Sequence, residues 1–317
     1  MILGLGMWGL VLVVSLVVLV KGADSFISAA EKIGKALKLS PFVIGVLLVG
    51  IGTSLPEFAS SIAALLTGNF EIIAANAIGS NITNILLIVG ILAVMAKKLV
   101  IKQDLLASEL SLFVVSTSLF IGVAFDGVIT ILESGLLAMA FIIYLLYILF
   151  GNSEDAPATA KYKSEMETGK VTRGTIITFV LGLIGILLGA RFLIEAVVSI
   201  SDILDIGTGI ISITVVALGT SLPELFVSLS ALRKGNTEVA IGNIFGSNAF
   251  NILFAVGIPG LFGHLVLDPQ TLHIGIPILA VASFIFVITG IAHRIYRWEG
   301  LMFLVYYAFF IIKVIGF

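Results

Sequence analysis

Long apolar runs separated by short polar breaks fill this chain, and the runs are continuously apolar, without period-two alternation. A helix that crosses a bilayer needs about 20 mainly apolar residues. The polar breaks divide the chain into ten such segments, at roughly 3–30, 41–66, 72–96, 104–124, 128–150, 174–200, 208–232, 239–262, 271–291 and 299–316. A β-barrel would alternate polar and apolar residues in short segments. The pattern therefore predicts an all-α integral membrane protein with ten transmembrane helices. One sizeable polar stretch, "GNSEDAPATAKYKSEMETGKVTR" at 151–173, is too short for a domain. It reads as a linker between a first five-helix half, 1–150, and a second, 174–317.

Composition agrees. The 317 residues are 59% hydrophobic and 11% charged, against about 25% charged in a soluble domain. A net charge of −2 gives no reason to expect a nucleic-acid partner. The absence of cysteine excludes disulfides and thiolate metal sites. The first apolar run lacks a basic leader and a small-residue cleavage site, so it reads as a retained helix. Lys and Arg remain on the cytoplasmic side of a membrane. The loops after helices 1, 3, 5, 7 and 9 hold 14 of the 17, among them Lys32, Lys98, Lys163, Arg233 and Arg294, and the loops after helices 2, 4, 6 and 8 hold none. This predicts a multi-pass protein of the cell membrane with both termini outside and the 151–173 linker cytoplasmic.

The hexapeptide "GTSLPE" occurs at Gly52–Glu57 and again at Gly219–Glu224, 167 residues later. At that offset 52–90 matches 219–257 at 21 of 39 positions, and Gly22-Ala23 falls on Gly189-Ala190. The chain is an internal repeat. Five helices per half is an odd number, so the second copy enters the membrane inverted. Inverted repeats with interrupted helices mark many secondary transporters, with substrate near the midplane.

Proline within a helix removes a backbone donor. Pro56 and Pro223 should free carbonyls near Gly52 and Gly219. Such groups persist at membrane depth only where protein, water or a ligand satisfies them. Thr53, Ser54 and Glu57 lie within one turn, as do Thr220, Ser221 and Glu224. An ionised carboxylate at mid-span costs a few kcal/mol or more and needs a counter-charge. Lys21 and Arg191 have Asp24 and Glu195 one turn away as their own partners. A cation or a proton is left for Glu57 and Glu224. "NAIGSNITN" (76–84) and "NIFGSNAFN" (243–251) place Asn76, Ser80 and Asn84, and then Asn243, Ser247 and Asn251, at every fourth residue on one helical face. Those hydroxyls and amides serve either helix–helix hydrogen bonding or ion binding. An all-oxygen set suits Ca²⁺ or Na⁺; His264, His273 and His293 are peripheral, which leaves zinc and copper without ligands. Asp126, Glu133 and Glu299 stand near span ends and read as solvated.

The paired "GTSLPE" and "GSNITN"/"GSNAFN" motifs resemble the two alpha-repeats of the calcium/cation antiporter superfamily, and among its branches the prokaryotic sodium/calcium exchangers. The resemblance covers nearly the whole chain. It implies that Glu57 and Glu224 are carboxylates shared by Ca²⁺ and Na⁺. It also implies that Thr53, Ser54, Thr220, Ser221, Ser80 and Ser247 supply oxygens, with backbone carbonyls at Gly50 and Ala217, and that Asn84 and Asn251 line the middle of the site. Helices 1 and 6 would slide across the core. Potassium-dependent exchangers carry an aspartate where Asn251 stands, so the amide implies K⁺ independence. The resemblance further implies electrogenic exchange of three Na⁺ for one Ca²⁺. The expected function is thus a Na⁺/Ca²⁺ antiporter without cofactor, active as a monomer in the lipid bilayer. The alternatives are an H⁺/Ca²⁺ or K⁺-dependent Na⁺/Ca²⁺ exchanger and, from another class, a Ca²⁺-permeable channel. No HExxH motif and no nucleophile–histidine set points to an enzyme.

Overall fold

A computed structural model of the chain describes residues 2–100, 103–150, 171–203 and 219–315. The helices are α1 (Ile2–Ala36), α2 (Pro41–Thr53), α3 (Leu55–Leu66), α4 (Phe70–Ala96), α5 (Gln103–Ala124), α6 (Ile131–Phe150), α7 (Arg173–Ile203), α8 (Leu222–Arg233), α9 (Thr237–Gly260), α10 (Thr271–Ile291) and α11 (Arg297–Ile315). Six are long and apolar enough to cross a bilayer, or seven if α2 and α3, bent by 40° around Ser54, form one span. The other expected spans are α5, whose apolar part is Leu110–Ala124, α11, and 208–232, which is described only from Gly219. Most of the expected 151–173 linker also lies outside the described residues. Leu10, Leu132 and Leu181 are more than half exposed, as apolar side chains facing lipid are.

Local sequence explains the helix ends. Ser40 caps α2, its hydroxyl accepting from Val43 N at 3.2 Å, and Pro41 takes the first helical position, where it needs no donor. Thr130 and Glu133 form a reciprocal capping box at the start of α6, with Thr130 N donating to Glu133 Oε2 at 2.8 Å and Glu133 N to Thr130 Oγ1 at 3.3 Å. Glu299 Oε2 accepts from Tyr296 N at 2.6 Å, and Asp126 Oδ1 from Val128 N at 3.1 Å. These three acids, expected to be merely solvated, therefore hold turns.

The 167-residue offset is visible in the backbone. α3 and α8 end in the same turn, with Gly68 at φ +75° and Gly235 at φ +79°. Asn69 N bonds Ala64 O and Asn236 N bonds Ala231 O, both at 2.9 Å. Only glycine takes that left-handed position without cost. π-Helical turns occupy Thr83–Ile88 in α4 and Phe250–Ala255 in α9. Two short antiparallel strand pairs join the halves. β1 (Lys98–Val100) pairs with β4 (Arg294–Tyr296), and β2 (Val128–Ile129) with β3 (Leu265–Val266). Lys98 faces Tyr296 and Ile129 faces Leu265; Leu99 faces Ile295 and Val128 faces Val266. Exchanging the halves by the offset of 167 converts one set of pairings into the other. Helix α5 leaves β1 and arrives at β2 after 22 residues, about 33 Å at 1.5 Å per residue. The strand pairs therefore sit at opposite ends of the molecule.

Glycines let the backbones touch. A Cβ on Gly22 would meet Ile186 N at 2.9 Å, one on Gly182 Phe26 N at 2.7 Å, and one on Gly189 Leu19 N at 2.8 Å. Helices α1 and α7 thus cross antiparallel on a stripe of small residues, as membrane helices do. Helix α9 presses on α2 in the same way. A Cβ on Gly242 would lie 2.4 Å from Phe42 O, and one on Gly246 2.4 Å from Val46 O. Among the described residues, a Cβ on the matching Gly79 in α4 would meet nothing within 4 Å; the segment equivalent to Phe42–Val46, 209–213, lies outside them.

Candidate cation site

The break expected at the proline falls at Ser54 (φ −87°, ψ 8°) and recurs at Ser221 (φ −87°, ψ 2°). It ends α2 and starts α3, so the helix opens in mid-span where Pro56 has no N–H to donate. The carbonyl that turns to the site is that of Gly50. It receives Ser54 N at 3.1 Å, Thr53 Oγ1 at 3.3 Å and, from the other half, Ser247 Oγ at 3.2 Å.

Around it the two motif pairs interlock. Ser54 Oγ donates to Glu224 Oε1 at 2.9 Å, and Thr53 Oγ1 to Asn243 Oδ1 at 3.1 Å. Asn243 Nδ2 donates to Ser228 Oγ at 2.8 Å and to Glu224 O at 3.3 Å. Ser80 Oγ and Thr220 Oγ1 are 3.4 Å apart. The hydroxyls of Thr53 and Ser247 also face Glu224, that of Thr220 faces Glu57, and the two carboxyl groups are close enough to feel each other's charge. The π-helical turn carrying Asn84 packs on α8, which bears Glu224, and the turn carrying Asn251 packs on α3, which bears Glu57. Both copies of the hexapeptide thus build one cluster.

The cluster is buried and short of donors. Thr53, Ser54, Glu57, Ser80, Asn84, Ser221, Glu224, Ser247 and Asn251 are each at most 2% exposed. Yet Glu57 Oε1 and Oε2, Glu224 Oε2, Ser221 Oγ, Asn84 Oδ1 and both amide atoms of Asn251 have no hydrogen-bond partner among the described residues. Buried acceptors without donors are costly. A cation satisfies several of them at once, and its charge offsets that of the carboxylates. Among the described residues no three His, Cys, Asp or Glu side chains gather into a metal-binding group; the two glutamates here are joined by hydroxyl, amide and carbonyl oxygens instead. Ala217 lies outside the described residues.

Two asparagines escaped the sequence reading. Asn81 Nδ2 donates to Asn248 O at 3.1 Å, and Asn84 Nδ2 to Asn248 Oδ1 at 3.2 Å. Asn81 and Asn248 are equivalent at the 167 offset, so they meet where the halves meet. They stand one position beyond the serines, off the face traced by every fourth residue, and their recurrence in both "GSN" triplets was the available signal. Asp24 also differs from expectation. Its Oδ1 accepts from Ser230 Oγ at 2.6 Å, while Lys21, Arg191 and Glu195 are exposed.

A cavity of about 600 Å³ opens beside α4 and reaches Asn76, Ser80 and Thr220 from a mouth at Ile72, Asp268 and Val314. Burial tends to raise the Asp268 carboxyl, but bonds from the Thr271 hydroxyl and the backbone N–H groups of Thr271 and Gln270 outweigh it, so the group stays below its usual range. Ile72 is 45% exposed, whereas its equivalent in the second half, Val239, is 1% exposed. The cavity reaches the polar cluster from the Ile72 end.

Comparison with known proteins agrees with this geometry. Residues 7–150 and 174–316 match the family described as sodium/calcium exchanger protein. The chain is 35% identical to the sodium/calcium exchanger MaX1 of Methanosarcina acetivorans, over 96% of this chain and 97% of that one. It is 34% identical to the putative antiporter CaxA of Alkalimonas amylolytica, over 80% and 81%. A solved structure of the sodium-calcium exchanger NCX_Mj, soaked with zero Na⁺ and Ca²⁺, superposes with a TM-score of 0.82 at 29% identity, covering 99% of this chain and 100% of that one. The family is one of membrane transporters of Na⁺ and Ca²⁺, not of enzymes, and needs no cofactor. This chain belongs to the sodium/calcium exchanger protein family, in the prokaryotic branch of the calcium/cation antiporter superfamily.

Proposed function

We propose that this chain exchanges Na⁺ for Ca²⁺ across the cell membrane by alternating access, electrogenically and without K⁺. The observation that carries the proposal is the pair of buried carboxylates, Glu57 and Glu224, three of whose four oxygens lack a hydrogen-bond partner among the described residues. The oxygens of Thr53, Ser54, Thr220, Ser221, Ser80, Ser247, Asn84 and Asn251 and the carbonyls of Gly50 and Ala217 complete the proposed site. Two glutamates give it a formal charge of about −2, which one Ca²⁺ or two Na⁺ neutralise. A third Na⁺ leaves one net positive charge to cross, coupled to membrane potential by about 2.3 kcal/mol per 100 mV. Competition for the same two carboxylates makes the protein an exchanger, because the empty, doubly negative site resists crossing a low-dielectric core.

The proposed architecture is ten spans in two inverted halves, 1–150 and 174–317, joined by the linker 151–173. The strand pairs support the inversion. The exchange of halves that interconverts them also swaps the two ends of α5, so it turns one half upside down relative to the other. The distribution of Lys and Arg among the loops supports β1 and β4 lying at the cytoplasmic end, and the cavity lining at Asp268 and Val314 at the outer end. The arrangement then faces outward, with both termini outside. A complete pair of half-sites in one chain supports a monomer as the working unit.

Flux of ⁴⁵Ca²⁺ into proteoliposomes under separately imposed Na⁺, H⁺ and K⁺ gradients tests the proposal. Uptake driven by Na⁺ alone supports it, uptake driven by H⁺ replaces it with the proton-coupled exchanger, and conductance without any counter-ion gradient replaces it with a channel. Asn251 is buried with both amide atoms unpaired. Asn251→Asp adds a charge there, and the expected result is a new dependence of the same flux on K⁺ or pH. An unchanged ion profile would show that this position does not select the coupling ion.

A further inference from the structure

The two halves repeat the turn after α3 and α8 in backbone but not in side chains. In the second half the turn reaches across to α1. Lys234 Nζ donates to Asp24 O at 2.6 Å and to Ser28 Oγ at 2.7 Å. Ser230 Oγ donates to Asp24 Oδ1 at 2.6 Å, and Asn236 Nδ2 donates to Glu31 Oε1. Charge-assisted bonds of this kind are among the stronger polar contacts. In the first half the same positions are Ala63, Thr67 and Asn69. Thr67 Oγ1 folds back on Ala63 O at 2.9 Å, and Asn69 Nδ2 on Thr67 Oγ1 at 3.0 Å. The equivalent positions on α7 are Arg191, Glu195 and Val198: a cation stands in place of Asp24, an apolar side chain in place of Glu31, and the one carboxylate, Glu195, is exposed. The backbone is symmetric and the polar bridge is not.

The bridge lies at the Lys/Arg-rich end, opposite the mouth of the cavity. It ties α1 to α8 beside the tightly packed α2–α9 contact, where Val239 is buried. We propose that Asp24, Ser28 and Glu31 with Ser230, Lys234 and Asn236 form a one-sided clasp that positions α1 on the core, favours the outward-open arrangement, and must release whenever the cytoplasmic end opens. The inference rests on the alternating-access reading above. It makes the exchanger's two end states unequal in free energy, although the ion-binding motifs themselves are nearly identical between halves.

The chain has no cysteine, so a single introduced cysteine is a clean reporter. Val239→Cys marks the closed cytoplasmic end and Ile72→Cys the open outer mouth. Labelling by a membrane-impermeant maleimide is measured from each side in oriented vesicles, without ion gradients. Adding Ser230→Ala and Lys234→Ala should speed labelling of Val239→Cys from the cytoplasmic side about tenfold, as expected when hydrogen bonds to a charged group no longer suppress a minor state. Labelling of Ile72→Cys should hold or fall, and Lys234→Arg should restore the slow rate. Asn236→Ala, which removes only the Glu31 contact, should give a smaller rise of about threefold and answers the question if the double variant does not fold. An unchanged rate at Val239→Cys overturns the clasp, and so does a parallel rise at both reporters, which marks general loosening. If labelling shifts as described but wild-type vesicles carry no sodium-coupled flux, the transport reading fails and the clasp stands. If flux is present and labelling does not move, the clasp fails alone.

Discussion

Replacing either Glu57 or Glu224 by glutamine should abolish sodium-gradient-driven ⁴⁵Ca²⁺ uptake in proteoliposomes. Glutamine keeps the shape and removes the charge, so the helices around it should pack as before. A bound divalent ion would then face one carboxylate in a buried site. Removing one partner of a buried charge pair costs about 3–5 kcal/mol, which at 1.4 kcal/mol per decade is at least about a hundredfold in affinity. The two variants need not fail identically. Glu224 already accepts from Ser54, whereas both oxygens of Glu57 lack a donor. Glu57 therefore depends more completely on the ion, and Glu57→Gln should be the better tolerated in the ion-free protein. Normal uptake by both variants would remove the two residues from the site.

The second large effect concerns packing. Gly246→Ala would place a Cβ 2.4 Å from Val46 O and 2.8 Å from Val46 Cα. Neither neighbour is a flexible side chain, so α2 as a whole must shift, carrying Gly50 and Thr53 with it. Overpacking of this sort costs about 1–3 kcal/mol and sometimes more. The expected result is a clear fall in thermal stability in detergent together with loss of transport. Gly79→Ala, the same change at the equivalent position, meets nothing within 4 Å among the described residues. On those contacts it should leave stability within about 0.5 kcal/mol of wild type. Equal destabilisation by the two would show Gly79 to be packed as closely as Gly246.

Much of the site was legible in the sequence because it is written twice. Glu57 and Glu224 stood out as charges in apolar runs, and the hydroxyls beside them stood out by recurring at one offset. Asn81 and Asn248 were less visible. They share the triplet of the serines but point off the face that a straight helix would present. The π-helical turns that follow them have no sequence signature comparable to a proline. The difference between halves was hidden for a more basic reason. A repeat advertises what its copies share, and the approach of Val46 to Gly246 depends on the arrangement the chain adopts. The clasp sits where the copies diverge, at Ala63 against Ser230 and Thr67 against Lys234. Arg233 and Lys234 read in sequence as topology charges, and only the reach of Lys234 to α1 gives it a second role.

The shared-carboxylate site is tested most directly by equilibrium ⁴⁵Ca²⁺ binding to the purified protein, titrated with Na⁺ and repeated on Glu57→Gln and Glu224→Gln. Saturable binding that Na⁺ displaces competitively, and that is lost in each variant, is the expected result. Binding that Na⁺ leaves unchanged, or that survives in both variants, would contradict a single cation site built from the two halves.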